Sequence, residues 1–194
     1  RYKHLFGIGE SKPDSIRFSR HHIGLVDQLL QEADQSEYDR IYARTRDLLL
    51  DFSGIEQRDL PAGFQGTLRP YQKAGYDWLH FLHEYRFGGI LADDMGRGKT
   101  IETLALLQSL RENGHPGHAD LLVLPRSLLI NWQREAETFT PDLNVHIHHG
   151  RQREIEPDLF DSFDLILTTY GTMRNDVIQL PEYPFYSVRV DEAQ

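Results

Sequence analysis

Residues 90 to 100 read Ile-Leu-Ala-Asp-Asp-Met-Gly-Arg-Gly-Lys-Thr, an apolar run that passes through a glycine turn into Lys99 and Thr100. The pattern predicts a strand, a loop and the start of a helix. Amide N–H groups at a helix start, with the positive end of the helix dipole behind them, attract a polyphosphate, and Lys99 adds a charge that neutral loops lack. Asp94, Met95, Gly96, Arg97, Gly98, Lys99 and Thr100 are expected to wrap the phosphates, the glycines letting the backbone approach closely. The Thr100 hydroxyl is of the kind that holds Mg2+. The strict pattern Gly-x-x-x-x-Gly-Lys-Ser/Thr is not met, because Asp93 stands where its first glycine belongs. An ordinary strand-to-helix turn with a solvated lysine is the competing reading.

A second signal lies at residues 188 to 194, Val-Arg-Val-Asp-Glu-Ala-Gln, an apolar stretch that ends in two carboxylates. Phosphoryl transfer needs a metal ligand and a group that orients water, and such a pair supplies both. The alternative is a strand end with solvated acids.

In this order, with strand and helix alternating between them, the two motifs resemble the first RecA-like lobe of a helicase superfamily 2 motor. The finer resemblance is to the SNF2 (Swi2/Snf2) family. It is carried by Leu68-Arg69-Pro70-Tyr71-Gln72 with Trp78-Leu79, by residues 89 to 96, by Asn131-Trp132 with Glu135 and Phe139, and by Asp191-Glu192-Ala193-Gln194. It spans residues 66 to 194. The resemblance implies an α/β fold, a RecA-like parallel sheet flanked by helices in an incomplete first lobe, behind a mainly helical N-terminal extension at residues 1 to 65.

The roles of individual residues follow from the resemblance. Lys99 would bridge the β and γ phosphates, Asp191 would hold Mg2+ with Thr100, and Glu192 would orient and deprotonate the attacking water. Gln72 matches the family's adenine-reading glutamine, since a side-chain amide both donates and accepts. Arg126 and Ser127, and Thr168 and Thr169, match loops that touch DNA phosphates without reading sequence, although hydroxyl clusters alone more often cap helices. ATP and Mg2+ are the implied cofactors. The implied partners are double-stranded DNA, held weakly by this piece through its phosphates, and a second RecA-like lobe with an arginine finger outside this sequence. The piece alone is therefore expected to bind nucleotide weakly and turn it over negligibly.

Bulk composition narrows the class. Hydrophobic content of 39% and charged content of 26% are those of ordinary globular chains. No apolar run approaches the roughly 18 residues of a membrane helix, so no membrane is expected as a partner. With no cysteine, thiolate zinc sites and disulfides are excluded, and the cytoplasm is the expected compartment, the nucleoid in a bacterium. A formal charge of −9 argues against tight DNA binding by this segment in isolation. His146, His148 and His149 invite a metal reading, but the family that the chain resembles commonly carries polar or histidine residues just before this glycine, so no metal is expected there, and His80, His83, His115 and His118 read as exposed.

The remaining pattern is organisational. Residues 15 to 19 alternate like a half-buried strand, Ile23, Val26, Leu29 and Leu30 recur at helical spacing, and a second helix is predicted from Ser36 to Phe52 with Tyr38, Ile41, Tyr42, Leu48 and Leu49 on its apolar face. Gly54, Pro61, Gly63 and Gly66 suggest a linker. Beyond it, Pro70 suits the first turn of a helix with Tyr71, Ala74, Trp78, Leu79 and Leu82 as its buried stripe. Leu121–Leu124, Val145–Ile147 and Phe163–Leu167 read as strands, and Ser127 as the cap of a helix carrying Leu128, Leu129, Trp132 and Phe139.

Three arginines depart from the family pattern: Arg97 between the glycines, Arg126, and Arg189 within the last strand. A guanidinium in a covered strand needs a partner or a route to solvent. Two readings follow: an ATP-dependent DNA translocase of the SNF2 type, and a noncatalytic nucleotide-binding or scaffold module whose motor has decayed, with the arginines as the trace.

Overall fold

The computed structural model describes residues 10–12, 15–17, 24, 26, 27, 43, 46, 47, 50, 52–94, 96–114, 117–150, 153, 157–178 and 180–192. Two compact units emerge, Arg1–Glu56 with His80–Ile90, and Gln57–Leu79 with Leu91–Gln194.

In the first unit, β1 (Glu10–Lys12) pairs antiparallel with β2 (Ser15–Arg17), Ser11 opposite Ile16. Gly24, Val26 and Asp27 are helical, as are Ala43, Arg46, Asp47 and Leu50, and Arg46 Nε donates to Asp27 Oδ1 at 2.5 Å. The predicted second helix stops short of Phe52, whose ring packs on Phe81 with centroids 5.2 Å apart. Phe18, Ser19, Ile23, Leu29, Leu30, Ser36, Tyr38, Ile41, Tyr42, Leu48, Leu49 and His115 lie outside the described residues.

The second unit is built on a parallel sheet of four strands in the order β4-β5-β3-β6: β3 (Asp120–Leu124), β4 (Val145–His148), β5 (Leu165–Thr169) and β6 (Val188–Val190). Every residue of β3 and β5 is buried, as strands covered on both faces require. Side chains alternate between two cores. Leu122, Leu124, Leu165 and Leu167 pack on one face with Leu104, Leu107, Leu129, Trp132 and Ala136. Leu121, Val123 and Ile166 pack on the other with Phe160, Leu180 and Tyr183. Burial of each of these leucines contributes about 1.5–3 kcal/mol against chain entropy. Five helices are described in this body or entering it: α1 (Pro70–Glu84), α2 (Lys99–Glu112), α3 (Leu129–Phe139), α4 (Pro157–Phe160) and α5 (Tyr170–Asn175). No helix among the described residues is long and apolar enough to cross a membrane.

Several sequence expectations are corrected. The strand expected at residues 90–92 does not form, and Ile90 is 86% exposed; apolar content favours a strand, but pairing decides it, and these residues join no ladder. β5 starts at Leu165, two residues late, because Phe163 closes a turn onto the Phe160 carbonyl and the Asp164 carboxylate accepts from Asn144 N and Arg111 Nε. The first unit runs to Glu56 and takes in His80–Ile90 as well. The supposed linker is pinned: Ala62 and Gly63 amides donate to Glu112, Gln65 N donates to the Phe139 carbonyl, and Phe64 and Leu68 are buried with Tyr76 and Ala105.

On α1, Ala74 is exposed and the most buried residues are Gln72, Tyr76, Asp77 and His80. This polar face is tolerated because it is bonded, Asp77 accepting from Arg58 N and Lys73 Nζ and Tyr76 OH donating to the Asp59 carbonyl. His80 is thus buried, not exposed. Ser127 does not cap α3. A 3-10 turn, Arg126–Leu128, runs directly into the helix, whose cap position is Leu128 with no side-chain bond.

Arg189 finds the partner its strand demands. Its Nη1 donates to Asp120 Oδ1 at 2.6 Å and to Ser187 Oγ at 2.5 Å, while Ser187 Oγ also bonds Asp120. Asp120 is almost wholly buried and the guanidinium keeps a fifth of its surface exposed, so removing the acid strands a charge. Asp120→Ala is expected to destabilise the fold by about 3 kcal/mol, read from the midpoint of urea denaturation at constant slope.

Candidate functional site

The loop before α2 has Gly96 at φ 80° and Gly98 at φ 91°, both in the left-handed region that costs a side chain about 1–2 kcal/mol. Gly98 is the residue preceding α2 and supplies no side-chain cap, so among the described residues the helix start carries no side-chain cap bond. Lys99 opens the helix, and its ammonium donates to the Asp93 carbonyl at 2.8 Å and the Asp94 carbonyl at 3.3 Å. The Thr100 hydroxyl has no partner among the described residues and is half-buried. Met95 lies outside them.

From α1, Gln72 holds the loop. Its Oε1 accepts from Arg69 N at 2.9 Å and its Nε2 donates to the Arg97 carbonyl at 2.9 Å, where Tyr71 OH also donates at 3.1 Å. The Arg97 guanidinium turns outward over the Tyr71 ring, 5.6 Å from its centroid, and lies 3.4 Å from Asp94. It therefore does not obstruct the turn. A Cβ at Gly98 would overlap Gln72 Nε2, so a side chain there would displace the Gln72 carboxamide as well as strain the backbone at this φ.

The two acids follow β6. Asp191 Oδ2 accepts from the Trp132 indole at 2.8 Å, Oδ1 accepts from the Glu192 amide at 3.0 Å, and the Asp191 carbonyl accepts from Tyr170 OH at 2.6 Å. Glu192 sits at φ 49°, a left-handed turn that swings the chain away from the strand direction. Burial, with the negative charge of Asp191 and Glu192 nearby, raises the Tyr170 phenol above its usual value. Among the described residues no hydrogen bond or ion pair joins Lys99 or Thr100 to Asp191 or Glu192: the structure forms two sets of groups, each held by its own neighbours. Ala193 and Gln194 lie outside the described residues.

Residues 71–194 match the family described as the SNF2-related domain. This chain belongs to that family. The putative ATP-dependent helicase/translocase YwqA of Bacillus subtilis is 42% identical over 143 residues, covering 72% of this chain and 16% of its own length. The ISWI chromatin-remodeling complex ATPase ISW1 of Saccharomyces cerevisiae is 37% identical over 141 residues, covering 70% of this chain and 12% of its own. The SWI2/SNF2 ATPase core of Sulfolobus solfataricus, solved in complex with double-stranded DNA, superposes with a TM-score of 0.64 at 33% identity, over 71% of this chain and 28% of that one. The chain thus spans a fifth or less of the curated relatives it matches. The fold is the RecA-like one of the SNF2 ATPase core.

The segments this SNF2-related chain was expected to turn toward DNA divide. Arg126 and Ser127 are exposed in the 3-10 turn after β3. Thr168 and Thr169 are not available. Thr168 is fully buried and its hydroxyl donates to the His148 carbonyl, while Thr169 Oγ1 accepts from Thr172 N and caps α5. The competing role of hydroxyls as helix caps holds at Thr169. His148 is likewise buried, its Nε2 2.9 Å from Asp176, a carboxylate that Arg153 and then His148 hold below the usual range. His149 Nδ1 lies 2.9 Å from Thr172 Oγ1, and His118 Nδ1 3.1 Å from Asp161.

Glu102, one turn beyond Lys99, was not singled out by motif reading, although an acid inside the apolar run of α2 is its sequence trace. It is fully buried, neither carboxylate oxygen has a hydrogen-bond partner among the described residues, and a Cβ on Gly75 would come within 2.6 Å of Oε2. Burial, then the Asp93 carboxylate, raise its pKa from 4.5 to about 7, against the opposing charge of Lys99. The folded state therefore binds this proton more tightly than the unfolded one. The stability it contributes is complete below about pH 4.5 and is lost as pH rises through about 7. Glu102→Gln is expected to abolish that slope and to be the more stable protein at pH 8, by at most roughly 3 kcal/mol, in denaturation series across pH 4.5–8. Gly98→Ala is expected to lower stability by about 1–2 kcal/mol and to break the bond from Gln72 to the loop.

Proposed function

We propose that the protein carrying this chain is an ATP-dependent DNA translocase of the SNF2 type, this segment supplying the nucleotide-binding lobe. The observation that carries the reading is the uncapped start of α2 behind two left-handed glycines, with the Lys99 ammonium at its mouth. The residues fit the groups implied. A loop that a side chain at Gly98 would crowd, a helix start without a side-chain cap bond and an ammonium held, among the described residues, only by backbone carbonyls suit a triphosphate; the Thr100 hydroxyl and the Asp191 carboxylate are the hard oxygen donors that Mg2+ takes.

In this reading Lys99 moves from the Asp93 and Asp94 carbonyls to the β and γ phosphates, while the amides of residues 96 to 100 receive phosphate oxygens. Gln72, already bonded to the loop, retains one N–H and one lone pair for the adenine edge. Thr100 and Asp191 would hold Mg2+, which when bound would neutralise charge developing on the phosphates. Glu192 orients the attacking water and takes its proton. Arg126 and Ser127 contact phosphates of duplex DNA, positioning without reading sequence; Thr168 and Thr169 act behind them as the buried frame of the adjoining segment. A second lobe closes over nucleotide and DNA and supplies an arginine. Cytoplasmic or nucleoid localisation accompanies this reading.

The decayed-module alternative drew on three arginines. None of them fills the loop: Arg189 is paired with Asp120, Arg97 lies over Tyr71 and Arg126 is exposed. ATP hydrolysis by the protein is expected to rise on adding duplex DNA, and Lys99→Ala and Glu192→Gln to reduce the stimulated rate by roughly 100-fold or more. An absence of DNA stimulation, or variants equal to the parent, refutes the assignment.

A further inference from the structure

We propose that Trp132 is a positioning residue for the metal-binding carboxylate, fixing the orientation in which Asp191 meets Mg2+; this rests on the nucleotide reading above. The indole is 4% exposed and its N–H is a donor that must find an acceptor when buried. It finds Asp191 Oδ2 at 2.8 Å, across 59 residues of sequence. A carboxylate offers about four lone-pair sites. The indole takes one on Oδ2 and the Glu192 amide takes one on Oδ1, which locks the plane of the group and leaves a lone pair on each oxygen for a cation or its water shell. Tyr170 fixes the same residue from the other side, its OH donating to the Asp191 carbonyl at 2.6 Å. With the carbonyl tied by Tyr170, the Asp191 amide bonded to the Val123 carbonyl and the side chain tied by Trp132, no torsion of Asp191 is left to solvent.

The indole therefore does what outer-shell donors do at metal sites. Its ring is buried in the core with Leu129, Ala136 and Leu167 and anchors α3, while its single polar atom is aimed at the site. Loss of the ring and loss of the N–H are separable. Trp132→Phe keeps most of the apolar contact and deletes the donor.

The test uses ADP binding to the protein, measured calorimetrically in Mg2+ and in EDTA. Trp132→Phe is expected to raise the Mg2+ concentration for half-maximal enhancement about tenfold and to leave affinity in EDTA unchanged. Tyr170→Phe, which removes only a hydroxyl from an exposed ring, is expected to shift the midpoint in the same direction. An unchanged Mg2+ midpoint overturns the proposal, and so does an equal loss in Mg2+ and EDTA, the mark of general damage. Trp78 is the other tryptophan of this segment; with it and every tryptophan outside the segment replaced by Phe, Trp132 is the sole emitter. Its emission is expected to change when Mg2+ is added to the ADP complex and not when ADP is added in EDTA; silence on Mg2+ addition also overturns the proposal. If the parent binds no ADP under either condition, the nucleotide reading itself falls, an outcome distinct from bound nucleotide whose Mg2+ dependence ignores Trp132.

Discussion

The parallel pairing of β3 with a neighbour on each side is the constraint from which the site follows. Its backbone N–H and C=O groups are buried and must be bonded, and β5 and β6 satisfy them in one register, Leu124 opposite Thr169 and Val123 opposite Val190. Parallel strands in register end at the same edge of the sheet. The turn at Arg126, the start of α5 at Tyr170 and the acids at Asp191 and Glu192 thus emerge side by side, which is where open α/β sheets bind ligands. The bonds from Trp132 and Tyr170 to Asp191 are consequences of that register. A slip of one residue in β6 would turn every side chain of the strand to the opposite face.

The phosphate loop is governed differently, by α1 rather than by the sheet. The carboxamide of Gln72 links the first turn of α1 to the Arg97 carbonyl, and Gly98 leaves room for it. The loop's shape is therefore set by a helix that precedes it by some twenty-five residues and by two glycine torsions. Its charge balance is local as well: Lys99 faces carbonyls of Asp93 and Asp94, and Glu102 beneath holds a proton up to about pH 7.

Much of this was legible in the sequence, for identifiable reasons. Leu121–Leu124 announced a strand because both its faces are asked to be apolar, Val188 and Val190 announced another by β-branched residues about Arg189, and Pro70 marked the start of α1. Glycines flanking Arg97 and followed by Lys99 announced the loop because few residues other than glycine adopt φ near 90° without strain. The misses share a cause, which is that partners are not encoded locally. Ile90-Leu91-Ala92 is apolar enough for a strand and joins no ladder. Gln72 and Asp77 look like a solvated face and are buried, because a hydrophobicity reading ranks residues by solvation and takes no account of the bonds that offset it. Thr168 and Thr169 have the composition of a phosphate contact, yet their hydroxyls serve the protein. That Trp132 needs an acceptor could be said from its chemistry; that the acceptor is Asp191 depends on how β3 and β6 pair.

Arg189 has an evolutionary corollary. Opposite charges that share one hydroxyl and one buried corner of a sheet cannot drift independently: a lineage that replaced the arginine by an aliphatic residue would leave Asp120 facing Ser187 with one partner fewer, and selection would then favour shedding the acid too. Positions 120 and 189 should therefore covary across descendants of this sequence, as a charged couple in some branches and a neutral one in others, with mixed combinations scarce.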